Sequence, residues 1–204
     1  MIRTRRAALA QGVTRFSDKG VLQQKAVRLD GRAVSVCDRD MSNRTLPTLP
    51  LTGGCSCGAI RYEIASFPLL LYTCNCTACQ TASGSAFALN MPVQTASFRI
   101  MRGSPKGWCR LSPSGADVTS WFCADCGGRI YGERKERPET INIRAGTLDD
   151  TKWLTPVAHM FLRSAQGWVQ PAPGAERHDT VPGDFRPLAE KWRALWPEFF
   201  PAKS

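Results

Sequence analysis

Three cysteines lie close together in the segment 74-CNCTAC-79, with the spacing C-x-C-x-x-C. Cysteine thiolates are typical zinc ligands, and short spacing lets several of them converge on one ion. Three protein ligands with a vacant fourth position are typical of a zinc ion that meets a substrate. Cys74, Cys76 and Cys79 therefore predict a catalytic zinc site whose fourth ligand comes from outside the chain.

Two other interpretations of this cysteine trio stay open at this point. Cys109, His159 or His178 could complete the coordination, which would give a second structural zinc site. The trio could also be a redox cluster without a metal. A zinc ion held by three thiolates carries a net charge of −1, so it is a weaker Lewis acid than one held by three imidazoles. Such a centre favours binding the sulfur of a thiol substrate over generating hydroxide.

Four more cysteines form two pairs, 55-CSC-57 and 123-CADC-126. Residues i and i+2 of an extended chain point the same way, so the first pair can reach one metal ion. Two glycines follow the second pair and allow a tight turn that brings its sulfurs together. Cys55, Cys57, Cys123 and Cys126 thus predict a structural zinc site. Closing the long intervening loop costs about 4 kcal/mol of entropy, which structural zinc binding of about 10–16 kcal/mol exceeds. We expect two zinc ions per chain.

The formal charge of +10 does not by itself indicate a nucleic-acid partner. Residues 1–40 hold nine Lys and Arg against four Asp, which gives +5, and residues 41–204 supply the other +5. Seven thiolates (−7) and two zinc ions (+4) would bring residues 41–204 near +2. The sequence has no stripe of basic and aromatic residues, so we expect no nucleic-acid partner. The oligomeric state stays open.

The sequence also bears on the cellular location. It contains no apolar run of 18 or more residues, so we expect no membrane partner. The Arg-rich N-terminus lacks the apolar core of a signal peptide, and its four Asp residues argue against an organelle transit segment. Clustered cysteines suit a reducing compartment. We expect a cytoplasmic protein.

Short alternating and apolar segments from residue 58 onward predict a mainly β fold. The strand candidates are AIRYEI, FPLLLYTC, SAFALNMPV, SFRIMR, DVTSWFC, RIYGE, ETINIRAG and PVAHMFLR. A single short helix is predicted in 184-DFRPLAEKWRALW-196, where Leu188, Trp192, Leu195 and Trp196 share one face that packs on the sheet. We expect a poorly ordered extension and linker over residues 1–50. Two interpretations of residues 1–40 stay open, namely an extension upstream of a natural start at Met41 and a short helix around residues 19–30 that packs on the domain. A zinc-binding β domain should follow over 51–170, and a C-terminal tail with the helix over 171–204.

Five motifs occur in an order that resembles the glutathione-dependent formaldehyde-activating (GFA) family, the group that also contains centromere protein V. They are GGCSCGAIRYE, CNCTACQTASGSAF, WFCADCGGRIY, NIRAGTLDD and PVAH, within residues 53–168. The resemblance implies a zinc-held "β-tent" fold and the same division of the seven cysteines into a structural and a catalytic zinc site. It also implies carbon–sulfur lyase activity on the adduct of formaldehyde and glutathione, so the expected partners are a small thiol and an aldehyde. The alternative is a zinc-stabilised binding module without turnover.

The sequence departs from the family pattern at a few positions near the trio. Asn75 stands where the family often has His, Phe161 replaces a Trp, and Ser164 with Ala165 stand where charges are expected. These changes bear on the substrate more than on the fold. Candidates for a substrate pocket are Ser83, Asn142, Thr147 and His159, and Arg144 and Arg163 are candidates for pairing with substrate carboxylates.

Overall fold

A computed structural model of the protein describes residues 46–112 and 115–200. Over this part of the chain, eleven β-strands and two α-helices are present. The prediction of a mainly β fold is therefore confirmed. Residues 1–45 of the expected N-terminal extension lie outside the described residues.

The first sheet is small and antiparallel, with its strands in the order β1–β2–β5, where β1 is Leu51–Gly54, β2 is Arg61–Ile64 and β5 is Phe98–Arg102. Gly53 lies opposite Tyr62, whose ring contacts that of Phe98 at 5.5 Å between centroids. A Cβ atom on Gly53 would come within 2.5 Å of the carbonyl oxygen of Thr147. Only glycine fits at this close approach.

The second sheet has eight strands. In chain order they are β3 (Tyr72–Cys74), β4 (Ala88–Gln94), β6 (Lys106–Leu111), β7 (Asp117–Phe122), β8 (Arg129–Arg134), β9 (Thr140–Arg144), β10 (Ala158–Met160) and β11 (Glu176–Arg177). Their order across the sheet is β11–β10–β3–β4–β9–β8–β7–β6. Neighbours are antiparallel, except that β10 runs parallel to both β3 and β11. The trio therefore begins in an interior strand, at Cys74.

Two α-helices accompany the sheets. Helix α1 (Thr77–Ser83) begins directly after Cys76 and ends at Gly84, whose φ of 60° is left-handed. Helix α2 (Arg186–Leu195) lies near the C-terminus. Its Trp192 is fully buried, stacks on Phe67 at 5.7 Å and donates its indole N–H to the carbonyl oxygen of Pro68. The predicted C-terminal helix is thus confirmed, and its apolar face packs in the core.

The sequence prediction differed from the structure in several segments. Each of the eight strand candidates contains a strand. The sequence predicted one helix, whereas the part of the chain that the structure describes has two, and α1 is the helix that was not predicted. Strands β1, β6 and β11 were also not predicted. PVAHMFLR forms strand only over Ala158–Met160, because Phe161 takes a left-handed conformation with φ of 58°. Within the described residues, no helix is long and apolar enough to cross a membrane.

Candidate metal sites

The structure brings the sulfur atoms of Cys74, Cys76 and Cys79 within 4.8 Å of one another. The Cys74 and Cys76 sulfurs are 3.4 Å apart. Cys74 ends β3, and the extended backbone of Cys76 turns the chain into α1, whose first turn carries Cys79. No fourth His, Cys, Asp or Glu of the described chain joins this group. Cys109 lies exposed in β6, so it does not complete the trio.

A hydrogen-bond network holds the loop of the trio in place. Asn75 is fully buried, and its side-chain amide donates to the carbonyl oxygen of Met160 at 2.9 Å. The carbonyl oxygen of Asn75 in turn accepts hydrogen bonds from the Gln80 amide at 2.7 Å and the Ser164 hydroxyl at 3.1 Å. Asn75 and Ser164, two departures from the family pattern, therefore contact each other directly.

The three thiols of the trio shift one another's pKa values in opposite directions. Hydrogen bonds from the Cys74 and Cys79 thiols lower the pKa of Cys76 to about 2. The pKa of Cys74 is raised by its hydrogen bonds with Cys76 and Cys79 and by its burial. A cation bound at the trio would displace the thiol protons that remain.

The other four clustered cysteines also meet, although Cys57 and Cys123 are 66 positions apart in the chain. All four sulfurs lie within 4.8 Å of one another, with Cys57 at 3.4 Å from Cys55 and at 3.7 Å from Cys123. Cys55 and Cys123 are buried, whereas Cys57 and Cys126 are exposed. The site thus joins the turn between β1 and β2 to the turn between β7 and β8.

Matching turns present the two cysteine pairs. The N–H of Cys55 donates to the carbonyl oxygen of Ile60, and the N–H of Cys123 donates to that of Gly128. Each first cysteine therefore bonds to the residue five positions later. Gly127 has a φ of 70°, a backbone conformation that residues with a side chain rarely adopt. The sharp second turn therefore depends on this glycine. The Ser56 hydroxyl and two backbone amides lower the pKa of Cys126 to about 5.

Both donor sets fit zinc. Zinc–sulfur bonds of 2.3 Å in a tetrahedron imply a sulfur–sulfur separation of about 3.8 Å, close to the observed 3.4 and 3.7 Å. Thiolates are soft ligands, which select zinc over hard cations such as Mg²⁺. The four-cysteine cluster provides a complete tetrahedral set, and the trio provides three of four positions.

Two predicted pocket residues, Ser83 and His159, have structural contacts. The Ser83 hydroxyl lies within hydrogen-bonding distance of the carbonyl oxygens of Cys79 and Phe87, at 2.9 and 3.0 Å. His159 pairs with Thr73 in the sheet, so it faces away from the neighbouring Cys74. Its Nε2 accepts a hydrogen bond from the backbone N–H of Ala172 at 3.0 Å, and burial lowers its pKa. The structure does not bring His159 to the trio.

Thr147 and Asn142, the other two pocket candidates, occupy different places. The Thr147 hydroxyl donates to the carbonyl oxygen of Arg144 at 2.7 Å and accepts from Tyr62. It lines a cleft of about 430 Å³ beside the four-cysteine cluster. Asn142 and Arg144 lie two residues apart in β9 and share a face of the large sheet. Arg163 is exposed.

Three residues with polar contacts near the cysteine sites were not singled out from the sequence: Gln80, Ser164 as a support of the trio, and Arg129. Gln80 directly follows Cys79 in the sequence. A polar side chain next to a clustered cysteine could have indicated a residue that supports the trio. Arg129 donates to the Ser120 hydroxyl at 3.3 Å. Nothing in the sequence indicated the side of the sheet on which Arg129 lies, because that depends on an irregularity in strand pairing.

The fold and these sites define a mainly β protein with two cysteine clusters that could hold metal ions. The chain belongs to the glutathione-dependent formaldehyde-activating enzyme family, because the sequence model of that family matches residues 50–164, over half of its length.

Two individual proteins illustrate the similarity. A Halomonas elongata protein, provisionally named a glutathione-dependent formaldehyde-activating enzyme, is 24% identical over 125 residues. The match spans 59% of this chain and 80% of that protein. A crystal structure of a Rhodobacter sphaeroides protein is 22% identical and aligns with a TM-score of 0.40, covering 49% of this chain and 89% of the other.

Proposed function

We propose that this protein is a zinc-dependent carbon–sulfur lyase that acts on a thiol–aldehyde adduct of the S-hydroxymethylglutathione type. The observation that carries the proposal is the trio, whose three sulfurs converge within 4.8 Å without a fourth ligand from the described chain. Three convergent ligands and an open position are the arrangement of a zinc site that binds substrate. Family membership supports the choice of thiol and aldehyde.

The proposed reaction needs no oxidant or reductant. In the cleavage direction, the C–S bond of the adduct breaks, the carbon–oxygen bond becomes a carbonyl, and the hydroxyl proton ends on the sulfur. The same steps in reverse join the thiol to the aldehyde. Cys74, Cys76 and Cys79 would hold a zinc ion there, which would supply a soft Lewis acid for the substrate sulfur.

The residues of the chain have separate tasks in this proposal. Cys74, Cys76 and Cys79 would hold the reacting metal, while Asn75, Gln80 and Ser164 fix the loop that carries them. Cys55, Cys57, Cys123 and Cys126 hold a structural zinc that joins distant turns of the β domain, residues 51–170. A reducing compartment such as the cytoplasm suits seven metal-binding thiolates.

The metal content is tested on purified protein washed with a chelator. We expect two zinc ions in the wild type and one in Cys76→Ser. The control is Cys109→Ser, which makes the same chemical change at an exposed cysteine outside both clusters and should retain two. One zinc or none in the wild type would overturn the two-site proposal.

The reaction is tested by exchange NMR with labelled formaldehyde and glutathione, against the protein-free rate. We expect faster exchange between the adduct and free aldehyde with the wild type and Cys109→Ser than with Cys76→Ser. Equal rates for all samples over a range of thiols would overturn the lyase proposal. A zinc-stabilised binding module would then be the better account of the fold.

A further inference from the structure

One face of the large sheet joins the trio to a group of arginines. Tyr72, Asn90 and Arg144 lie opposite one another on β3, β4 and β9. Directly opposed residues project from the same face, and so do residues two apart on one strand. Cys74 therefore shares this face with Arg144, which donates a hydrogen bond to the side-chain oxygen of Asn90.

Arg129 reaches the same face through a β-bulge. Strand β8 pairs Tyr131 with Trp121 but Arg129 with Phe122, so Ile130 is an extra residue. Regular alternation would place Arg129 on the side of Tyr131, which packs on Phe98 of the small sheet at 4.9 Å. The bulge instead turns Arg129 to the opposite side, as bulges commonly re-aim a side chain. There its guanidinium donates to Ser120, which is 3% exposed.

The arginines on this face have no carboxylate partner among the described residues. Arg129 and Arg144 are both partly buried, and neither forms an ion pair with a carboxylate of the described residues, whose ion-paired arginines are Arg61, Arg99 and Arg186. Burial lowers the pKa of Arg129, and the like charges of Arg144 and Arg110 lower it further. Cys79 is within electrostatic reach of both Arg129 and Arg144. Crowded cations of this kind gain from an anionic partner.

We propose that Arg129 and Arg144 bind a carboxylate of the thiol substrate, and so determine which thiols the proposed lyase accepts. This inference rests on the proposed lyase function, since it assumes that the substrate sulfur lies at the trio. Guanidinium groups bind carboxylates through two parallel hydrogen bonds. Arg129 and Arg144 are then specificity-determining residues.

The geometry of the sheet sets the length of such a substrate. Two strand spacings of about 5 Å and an offset of two residues, about 7 Å, separate the Cα atoms of Cys74 and Arg144 by roughly 12 Å. The side chains shorten that gap. One residue of extended chain spans at most about 3.6 Å, so a carboxylate one or two residues from the cysteine sulfur suits the site.

The test uses a probe that has no sulfur, namely the glutathione analogue in which 2-aminobutyrate replaces cysteine. Calorimetry measures its Kd with the wild type, Arg129→Gln, Arg129→Lys and Arg99→Gln. Arg99 is the matched control, because it is an exposed arginine on the small sheet that pairs with Glu63. We expect Kd to rise about 10- to 100-fold in Arg129→Gln, as for a lost hydrogen bond to a charged group, and less in Arg129→Lys. Kd should change less than about twofold in Arg99→Gln, because Arg99 lies on the small sheet, outside the proposed site.

A second arm removes the charge from the probe. The diamide of the same analogue should bind the wild type more weakly than the diacid, and its Kd should no longer depend on residue 129. No binding of the diacid to the wild type, equal binding of diacid and diamide, or equal Kd in wild type and both Arg129 variants would overturn the proposal. Thermal unfolding of each variant verifies folding, and Arg144→Gln repeats the test if Arg129→Gln does not fold.

Catalysis separates this inference from the proposed function. Arg129→Gln should raise KM for the glutathione adduct and leave kcat nearly unchanged, because the residue binds the far end of the substrate. If the KM of catalysed exchange is the same in the wild type and in Arg129→Gln, the carboxylate site is overturned and the lyase proposal stands. Arg129-dependent binding of the analogue without catalysed exchange would overturn the lyase proposal and leave the carboxylate site.

Discussion

Gln80 donates its side-chain amide to the carbonyl oxygen of Ser164 at 2.8 Å, and this bond ties helix α1 to the segment after β10. The same amide also reaches the carbonyl oxygen of Asn75, between the first two cysteines of the trio. A single side chain thus fixes the loop of the trio from two sides.

We expect Gln80→Ala to weaken zinc binding at the trio about 10-fold or more, the usual effect of losing a residue that orients metal ligands. Competition with a chromophoric chelator measures the affinity of each site. Gln94→Ala is the control, since Gln94 is an exposed residue of β4. The expected result is loss at the trio with the four-cysteine cluster unchanged. Equal affinities in both variants would show that the network does not orient the trio.

The two cysteine clusters should differ in their effect on stability. Cys126→Ser removes a ligand from a cluster that joins turns 66 positions apart, so the protein should unfold or aggregate. Cys76→Ser removes a ligand from a local loop and should leave a folded protein with a melting temperature close to that of Cys109→Ser. Differential scanning calorimetry makes the comparison. Equal destabilisation by Cys126→Ser and Cys76→Ser would contradict separate structural and reacting roles.

Gly53→Ala should destabilise the protein strongly. The added Cβ would overlap the carbonyl oxygen of Thr147 and the Tyr62 side chain, so the small sheet must shift away from the segment after β9. The expected loss is about 1–3 kcal/mol in the free energy of unfolding, as for other overpacked sites. Gly167→Ala is the control, because no atom lies within 4 Å of a Cβ there. Equal denaturation midpoints for the two variants would refute the close approach.

Asp149 should contribute stability that depends on pH. The Arg61 guanidinium holds the pKa of the Asp149 carboxyl below its usual value, with help from the Thr52 hydroxyl. A lowered folded-state pKa means that the contribution is complete above the unfolded-state pKa of about 4. It is lost as the pH falls through the folded-state value. Because both side chains are partly exposed, we expect about 1 kcal/mol at most.

Denaturant titrations of the wild type and Asp149→Asn, from pH 7 down to the lowest pH at which both stay folded, measure this contribution. The difference in unfolding free energy should be largest at neutral pH and shrink in acid. Asp179→Asn serves as the control, since Asp179 is exposed and has no ion pair with another described residue. A difference that grows as the pH falls would reverse the sign and refute the assignment.

Much of the candidate site followed from the sequence because local spacing brings together the cysteines that could hold metal ions. The pairs at 55–57 and 123–126 and the trio at 74–79 each lie within one turn, so their residue types alone indicate convergence. The association of the pair at 55–57 with the pair at 123–126 followed from counting cysteines, because two pairs provide the four positions of one tetrahedral site. The β strands followed from alternation, which directly reflects burial on one face.

The elements that sequence reasoning missed lack such a local signal. Helix α1 is seven residues long and contains no buried residue, so it has no apolar periodicity to detect. Strand β6 is exposed along nearly its whole length. Arg129 changes sides through a register shift between β7 and β8, which depends on how two strands pair. Nothing in the period of either strand encodes that shift.

The different chain separations of the two clusters also set an order of assembly during biosynthesis. All three cysteines of the trio are present once Cys79 has left the ribosome, although the contacts with Met160 and Ser164 that fix their loop form later. Cys55 and Cys57 must wait as reduced thiols until Cys126 has been synthesised and the strands between them have paired. During translation the first pair is therefore open to oxidation for as long as it takes to synthesise the residues up to Cys126.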